Sequence, residues 1–195
     1  MVEFPPLAPS VRWFFRFFDA WSKGVSEDEA IVIANSGILS LKDFGRYVIR
    51  NQKGENLVLS LAVEGGGKQL RYIDKLPGLI LSEHGDWRKV HAGAWEAELS
   101  RKPYFRYLEP ELKKTYEDLK IVRLEDFNNA IFKTLLSFLL GNLNSSDLCR
   151  YAKGRNWQDR GREVVESLNP DLSIIQALAT HGKETILGIM MADYN

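Results

Sequence analysis

Hydrophobic residues follow two different repeats along this chain of 195 residues. In the first 80 residues, alternating or β-branched runs occupy Ile31–Asn35, Gly45–Asn51 and Glu55–Val63, with turn-forming residues between them. Shorter candidate strands follow at 70–73 and 78–82. From residue 86 onward, apolar residues recur every three or four positions, which is the helical repeat. The pattern predicts an α+β fold, with a mostly antiparallel N-terminal sheet followed by a helical C-terminal half.

The predicted helices begin at residues that favour a helix N-terminus, or end at residues that close a helix, such as glycine. An aromatic stripe marks the first helix, and core packing explains it more simply than a pocket wall does. The helices are Val11–Trp21, Asp86–Lys102, one that begins at Glu109, Asp126–Leu140 and Ser173–His181.

Bulk properties narrow the class of protein. The chain has neither repeats nor a linker-like segment, so residues 1–195 are predicted to form a single domain. Lysine plus arginine equals aspartate plus glutamate at 26 each, which disfavours a dedicated nucleic-acid-binding protein. A lone cysteine, Cys149, fits a reducing compartment. Neither a secretory signal nor an apolar stretch of membrane-spanning length is recognised, so we expect a cytoplasmic protein.

The glycine run Gly65–Gly67, followed by Lys68, invites comparison with a phosphate-binding loop. Such a loop needs a serine or threonine after the lysine and a helix after that, whereas Gln69 and a strand-like segment follow here. A hairpin turn is therefore predicted. The three histidines are too dispersed for a zinc site. No cofactor and no metal are expected.

The segment HGDWRKVHAGAWEAELSRKPYF carries the candidate chemistry. Trp87, His91 and Trp95 fall one helical turn apart and form a ladder on one face, which Val90, Ala94 and Leu99 are expected to join. Two interpretations of His91 fit this pattern. A shielded, neutral imidazole could act as a general base. It could equally be a core residue whose ring is hydrogen-bonded to a backbone carbonyl.

The same segment resembles the central motif of the WbqC-like family. The resemblance rests on Asp86-Trp87-Arg88, His91 and Lys102-Pro103-Tyr104-Phe105, and continues through PELKKTYEDL and EDFNNAIFKTLLSFLLG. It covers roughly residues 84 to 141, with a weaker match over 171 to 187. Gly45 stands where relatives have the asparagine of an Asn-Arg pair, and Leu99 stands where they tend to have tyrosine.

The resemblance implies a role in surface-polysaccharide biosynthesis of the O-antigen type. The implied reaction is transfer of an aminoacyl group, such as glycine, to the amine of an activated amino sugar. His91 would be its catalytic base, Lys42 and Arg46 would bind the anionic end of a substrate, and Trp87 and Trp95 would wall the pocket. The altered Asn-Arg pair favours an alternative, in which the chain is a non-catalytic member that binds a ligand or another protein.

Overall fold

The computed structural model describes residues 2–38, 40–141, 164 and 167–191. The α+β prediction is confirmed: a small antiparallel sheet lies in the N-terminal half, and helices dominate the rest. Cys149 and the basic segment 153–162 lie outside the described residues. Within the described residues the helices are α1 (Val11–Ser22), α2 (Glu27–Asn35), α3 (Trp87–Leu99), α4 (Phe105–Glu117), α5 (Leu124–Leu140), α6 (Ile174–His181) and α7 (Thr185–Met191).

The N-terminal segment FPPLAPS leads into α1, whose predicted cap is confirmed. The Ser10 hydroxyl accepts a hydrogen bond from the Trp13 amide at 3.3 Å. The apolar face of α1 packs on α5, where Phe132 contacts both Phe14 and Phe17. The aromatic stripe of α1 is therefore core packing, as the simpler interpretation held.

The predicted strand at Ile31–Asn35 is wrong, because these residues form the second half of α2. A capping box starts this helix: Ser26 accepts from the Glu29 amide, and the Glu29 carboxylate accepts from the Ser26 amide. Three acidic residues in the first turn complement the helix dipole. Local capping thus outweighs the β propensity of Ile31, Val32 and Ile33.

In the described part of the chain the sheet is a single hairpin of β1 (Arg46–Arg50) and β2 (Asn56–Ser60), paired in antiparallel register with Tyr47 opposite Leu59 and Val48 opposite Val58. Further strands predicted up to residue 82 are reduced to isolated bridges, such as Val63 with Leu81.

The glycine run does form a turn, in which the Gly66 amide donates to the Val63 carbonyl at 3.0 Å. Two short 3₁₀ turns, Gln69–Arg71 and Ile73–Lys75, follow instead of the predicted strand at 70–73.

Helices α3, α4 and α5 confirm the predicted order, with shifted boundaries. Asp86 precedes α3, but its side chain makes no capping hydrogen bond and its backbone is left-handed at φ 48°. α4 begins at Phe105 rather than at Glu109, which places Pro110 inside the helix. The buried stripe of Phe105, Leu108 and Leu112 explains this, since packing along the whole face compensates for the amide that proline lacks.

The end of the described chain returns to its beginning. Ser173 caps α6, and its hydroxyl donates to the Ala8 carbonyl while its amide donates to the Val48 carbonyl. Buried apolar residues from Val2 to Ile189 form one connected core. None of the described helices combines the length and the hydrophobicity needed to cross a bilayer.

Candidate functional site

The imidazole of His91 lies in the core and is only 1% exposed. Its Nε2 is 3.1 Å from the carbonyl oxygen of Ser60 in β2. A carbonyl can only accept, so Nε2 carries the proton and Nδ1 is the acceptor. The hydroxyls of Tyr116 and Tyr47 lie 3.2 and 3.4 Å from Nδ1. Both ring nitrogens of His91 therefore already have partners within the protein.

A chain of hydrogen bonds connects four ring side chains. The Trp95 indole donates to the Tyr47 hydroxyl at 2.9 Å, and that hydroxyl lies 3.4 Å from Nδ1 of His91. Tyr116 then supplies the closer donor to Nδ1 of His91. With Trp87, which contacts the His91 ring at 5.5 Å between centroids, these residues form what we call the ring cluster.

Burial sets the protonation of this cluster. Removal from water disfavours the charged form of each group. It lowers the pKa of His91 to about 4, against a smaller opposite effect of the hydrogen bond to Ser60. Burial likewise raises the pKa values of Tyr47 and Tyr116 well above the ordinary range. At neutral pH the ring cluster is therefore uncharged.

Trp87 and Arg88, which neighbour His91 in the sequence motif, make contacts that hold the fold together. The Trp87 indole donates to the Ser82 carbonyl at 2.8 Å. The Arg88 guanidinium stacks 4.6 Å from the centre of the Trp87 ring, pairs with Glu83 and donates to the Tyr116 carbonyl at the end of α4. The Asp-Trp-Arg-His motif thus joins α3 to α4 and to the hairpin.

The predicted ladder of Trp87, His91 and Trp95 is buried, as expected, together with Leu99. Val90 was expected on the same face, but it is 56% exposed. Successive residues of a helix are rotated by about 100° about its axis. Val90 directly precedes His91 and therefore lies beyond the edge of the buried stripe.

The two faces of the hairpin have different surroundings. Tyr47, Ile49 and Leu59 point into the core, as alternation along paired strands requires. Arg46, Val48 and Val58 belong to the opposite face and border a cavity of about 600 Å³. β1 therefore lies between the ring cluster and this cavity.

Three arginines line this cavity, which we call the arginine cavity: Arg12 and Arg16 from α1, and Arg46 from β1. Two of them carry ion pairs. Arg12 is 3.0 Å from Asp171, and Arg46 is 3.2 Å from Asp43. Both carboxylates also line the cavity, so the described side chains around it bring three positive charges and two negative ones.

The remaining arginine, Arg16, forms no ion pair with any described residue. Its guanidinium fills the place that a side chain at position 37 would occupy, because a Cβ built on Gly37 would lie 0.9 Å from Nη1. The terminal atoms of Arg16 are thus held against the backbone that follows α2.

The segment FPPLAPS forms one wall of the arginine cavity, from Pro6 to Ser10. Ala8 adopts a left-handed backbone at φ 41°, which is uncommon for a residue other than glycine. Asn128 of α5 anchors this wall from the core side: its amide donates to the carbonyls of Pro5 at 3.1 Å and Phe44 at 2.9 Å.

The structure divides the predicted site residues into two groups. His91, Trp87 and Trp95 meet in the ring cluster, where all three are buried, and none of them lines the cavity; Tyr47 is the cluster residue that does. Arg46 does line the arginine cavity. Lys42 lies exposed on the 3₁₀ turn Leu41–Phe44, beside the cavity residue Asp43 but outside the lining.

Sequence reasoning missed Arg12 and Arg16. A usable signal was present, since two arginines one turn apart lie on the same side of an otherwise aromatic helix. Their place in the cavity could not be predicted, because Arg46 and the 171–173 segment are distant in sequence and come close to α1 only in the folded protein.

Comparison of the chain with models of protein families, with curated proteins and with solved structures finds no significant match. In the part of the chain that the structure describes, no group of three or more histidine, cysteine, aspartate or glutamate side chains is placed to hold a metal ion. The arginine cavity and the sequence motif are the two features of this chain that bear on function.

Proposed function

We propose that the protein binds a small anionic molecule in the arginine cavity. The observation that carries this proposal is the convergence of Arg12, Arg16 and Arg46 on one cavity, with Arg16 unpaired among the described residues. Guanidinium groups suit carboxylates and phosphates because their donors form a planar fork. The cavity's volume of about 600 Å³ lies in the ordinary range for small-molecule sites.

The walls suit a ligand with both an anionic and a less polar part. Pro6, Pro9 and Trp13 contribute apolar surface, while the hydroxyl-bearing Ser10 and Ser173 lie at the same cavity. A sugar attached to a charged group presents this mixture of chemistry. The mixed lining of the cavity therefore supports an activated amino sugar as the ligand, which is the substrate that the WbqC-like resemblance implies.

The pathway is proposed on the resemblance alone. We place the protein in cytoplasmic surface-polysaccharide biosynthesis, with transfer of an aminoacyl group such as glycine to the amine of the bound sugar as its reaction. The alternative is a binding protein without turnover. The ring cluster favours this alternative on one specific point: His91, the proposed base, is buried and both its nitrogens are occupied.

Calorimetric titration with UDP-N-acetylglucosamine, as a representative activated amino sugar, tests the proposal. We expect saturable binding by the wild-type protein and a loss of about tenfold in affinity for Arg46→Gln, because a charge-assisted contact is removed. Arg50→Gln is the matched control: Arg50 lies on the same strand, is exposed, and is not among the cavity residues.

Two results would contradict the proposal. The first is the absence of saturable binding by the wild-type protein. The second is an equal loss of affinity in Arg46→Gln and Arg50→Gln, which would indicate attraction by general surface charge. Adding a glycyl donor to UDP-glucosamine, whose amine is free whereas that of UDP-N-acetylglucosamine is acylated, and looking for an N-glycylated sugar by mass spectrometry then separates the transferase from the binding protein.

A further inference from the structure

The ion pairs of the arginine cavity restrict the ligand's charge. Arg12 and Arg46 each face a carboxylate of the protein itself, at 3.0 and 3.2 Å. A ligand carboxylate that displaced Asp171 or Asp43 would exchange one carboxylate contact for another and would gain little. A group with more charge and more acceptor oxygens would gain, because it could contact several arginines at once.

Arg16 has hydrogen-bond donors that remain available to a ligand. Its five N–H donors have no carboxylate among the described residues, and its guanidinium is held in the space above Gly37. Arg12 lies one helical turn before it on α1, at a spacing where like charges repel. The Nε of Arg12 is also buried without a hydrogen-bond partner in the described part of the protein. A buried donor without a partner calls for an explanation, and a role in binding an anionic ligand supplies one.

We propose that Arg16 and Arg12 together bind the phosphate groups of a phosphate or diphosphate ester, and that Asp171 and Asp43 are counterions that this ligand displaces. This inference rests on the proposed function, because it names the ligand class of the same cavity. Gly37 is its specificity-determining position: the missing side chain leaves the room in which the Arg16 guanidinium lies. Gly37 has no positive φ, so alanine there meets the guanidinium rather than a backbone conflict.

The test compares inorganic pyrophosphate with malonate, a small dicarboxylate, by calorimetric titration at one fixed ionic strength. We expect pyrophosphate to bind saturably and at least tenfold more tightly than malonate. Arg16→Gln should weaken pyrophosphate binding by about tenfold. Gly37→Ala should weaken it by several-fold while preserving every charge, because it moves the guanidinium. Asp171→Asn should strengthen it by several-fold, since a competing carboxylate is lost.

Arg50→Gln is again the control and should bind pyrophosphate as the wild-type protein does. The melting temperature of each variant establishes that it is folded, and the charge-preserving Gly37→Ala gives a second measure should Arg16→Gln fold poorly. Malonate binding as tightly as pyrophosphate, or unchanged affinity in both Arg16→Gln and Gly37→Ala, would overturn the inference.

The two proposals can fail separately. Binding of UDP-N-acetylglucosamine that depends on Arg46 but is indifferent to Arg16 and Gly37 would overturn the phosphate assignment and leave the proposed function standing. Pyrophosphate binding that depends on Arg16, without binding of UDP-N-acetylglucosamine, would support the phosphate site and contradict the activated amino sugar.

Discussion

The ring cluster and the arginine cavity lie on opposite faces of β1, and they differ in whether their polar groups have partners within the protein. In the ring cluster every polar atom of His91 has a partner within the protein, and burial keeps the imidazole neutral. In the arginine cavity three guanidinium groups lie beside open space, and Arg16 retains donors that no described carboxylate uses. Tyr47 belongs to both regions, since its hydroxyl joins the cluster and the residue borders the cavity.

The difference shows that a polar residue in an aromatic setting is not by itself a sign of a reactive site. A buried network in which all members are satisfied specifies how elements pack, and it has no capacity left for a ligand. Spare donors beside an open cavity are the more informative feature. The following predictions test whether the two regions are as separate as this comparison holds.

The largest expected effect is on the pH dependence of stability. The pKa of His91 is about 4 in the folded protein and about 6.5 in the unfolded chain, so the unfolded chain binds the proton first as the pH falls. The contribution of His91 is complete above pH 6.5 and is lost progressively down to pH 4. It amounts to about 3 kcal/mol. Urea denaturation of the wild-type protein between pH 4 and 7 measures it.

The variant His91→Gln is the control for this pH dependence, because other titrating groups are common to both proteins. Its stability should fall less steeply than that of the wild-type protein between pH 6.5 and 4. If the free energy of unfolding depended on pH in the same way in the two proteins, the imidazole would not be the neutral, buried group described here.

An intermediate effect is expected for His91→Gln at pH 7. Glutamine cannot restore both ring contacts, so a buried group loses its partner and the free energy of unfolding falls by about 1–3 kcal/mol. Affinity for UDP-N-acetylglucosamine should change by less than about twofold. Unchanged stability of His91→Gln combined with abolished binding would return His91 to the binding or catalytic site.

Tyr116→Phe removes the closer donor to Nδ1 of His91 and should lower the free energy of unfolding by about 1 kcal/mol.

The smallest effect is expected for Arg16→Gln without ligand. Its side chain has no described ion pair, and removing it also relieves repulsion with Arg12, so the free energy of unfolding should change by less than about 0.5 kcal/mol. Thermal denaturation in the absence of anions measures this. A loss of 2 kcal/mol or more would mean that Arg16 is a packing residue, as His91 is.

Much of the fold follows from local signals. Ser10, Ser173 and the apolar stripe of α5 identify three helices, and the alternation around Tyr47 identifies β1, because these features act within a few residues of the chain. The failures are also local. The β-branched run Ile31–Asn35 gave a strand where the capping box of Ser26 and Glu29 forms α2. At 70–73, turns replace the strand, since no strand among the described residues pairs with it.

The candidate site was less predictable. The sequence placed His91 between two tryptophans on a buried face, which is correct, and it selected Arg46. It could not show that Ser60 and Tyr116 occupy the ring nitrogens, because these partners lie 31 and 25 residues away in the chain.

By itself, the sequence determined that His91, Trp87 and Trp95 share a helix face, since helical spacing is set by the backbone. Only the tertiary structure decided that this face is closed and that the open site lies across β1. Arg12 and Arg16 line one cavity with Arg46 because α1 and β1 border the same space, and Arg12 pairs with Asp171 because the 171–173 segment returns to residues 8–12. Such convergence depends on contacts between distant segments, which the local repeat of polar and apolar residues does not encode.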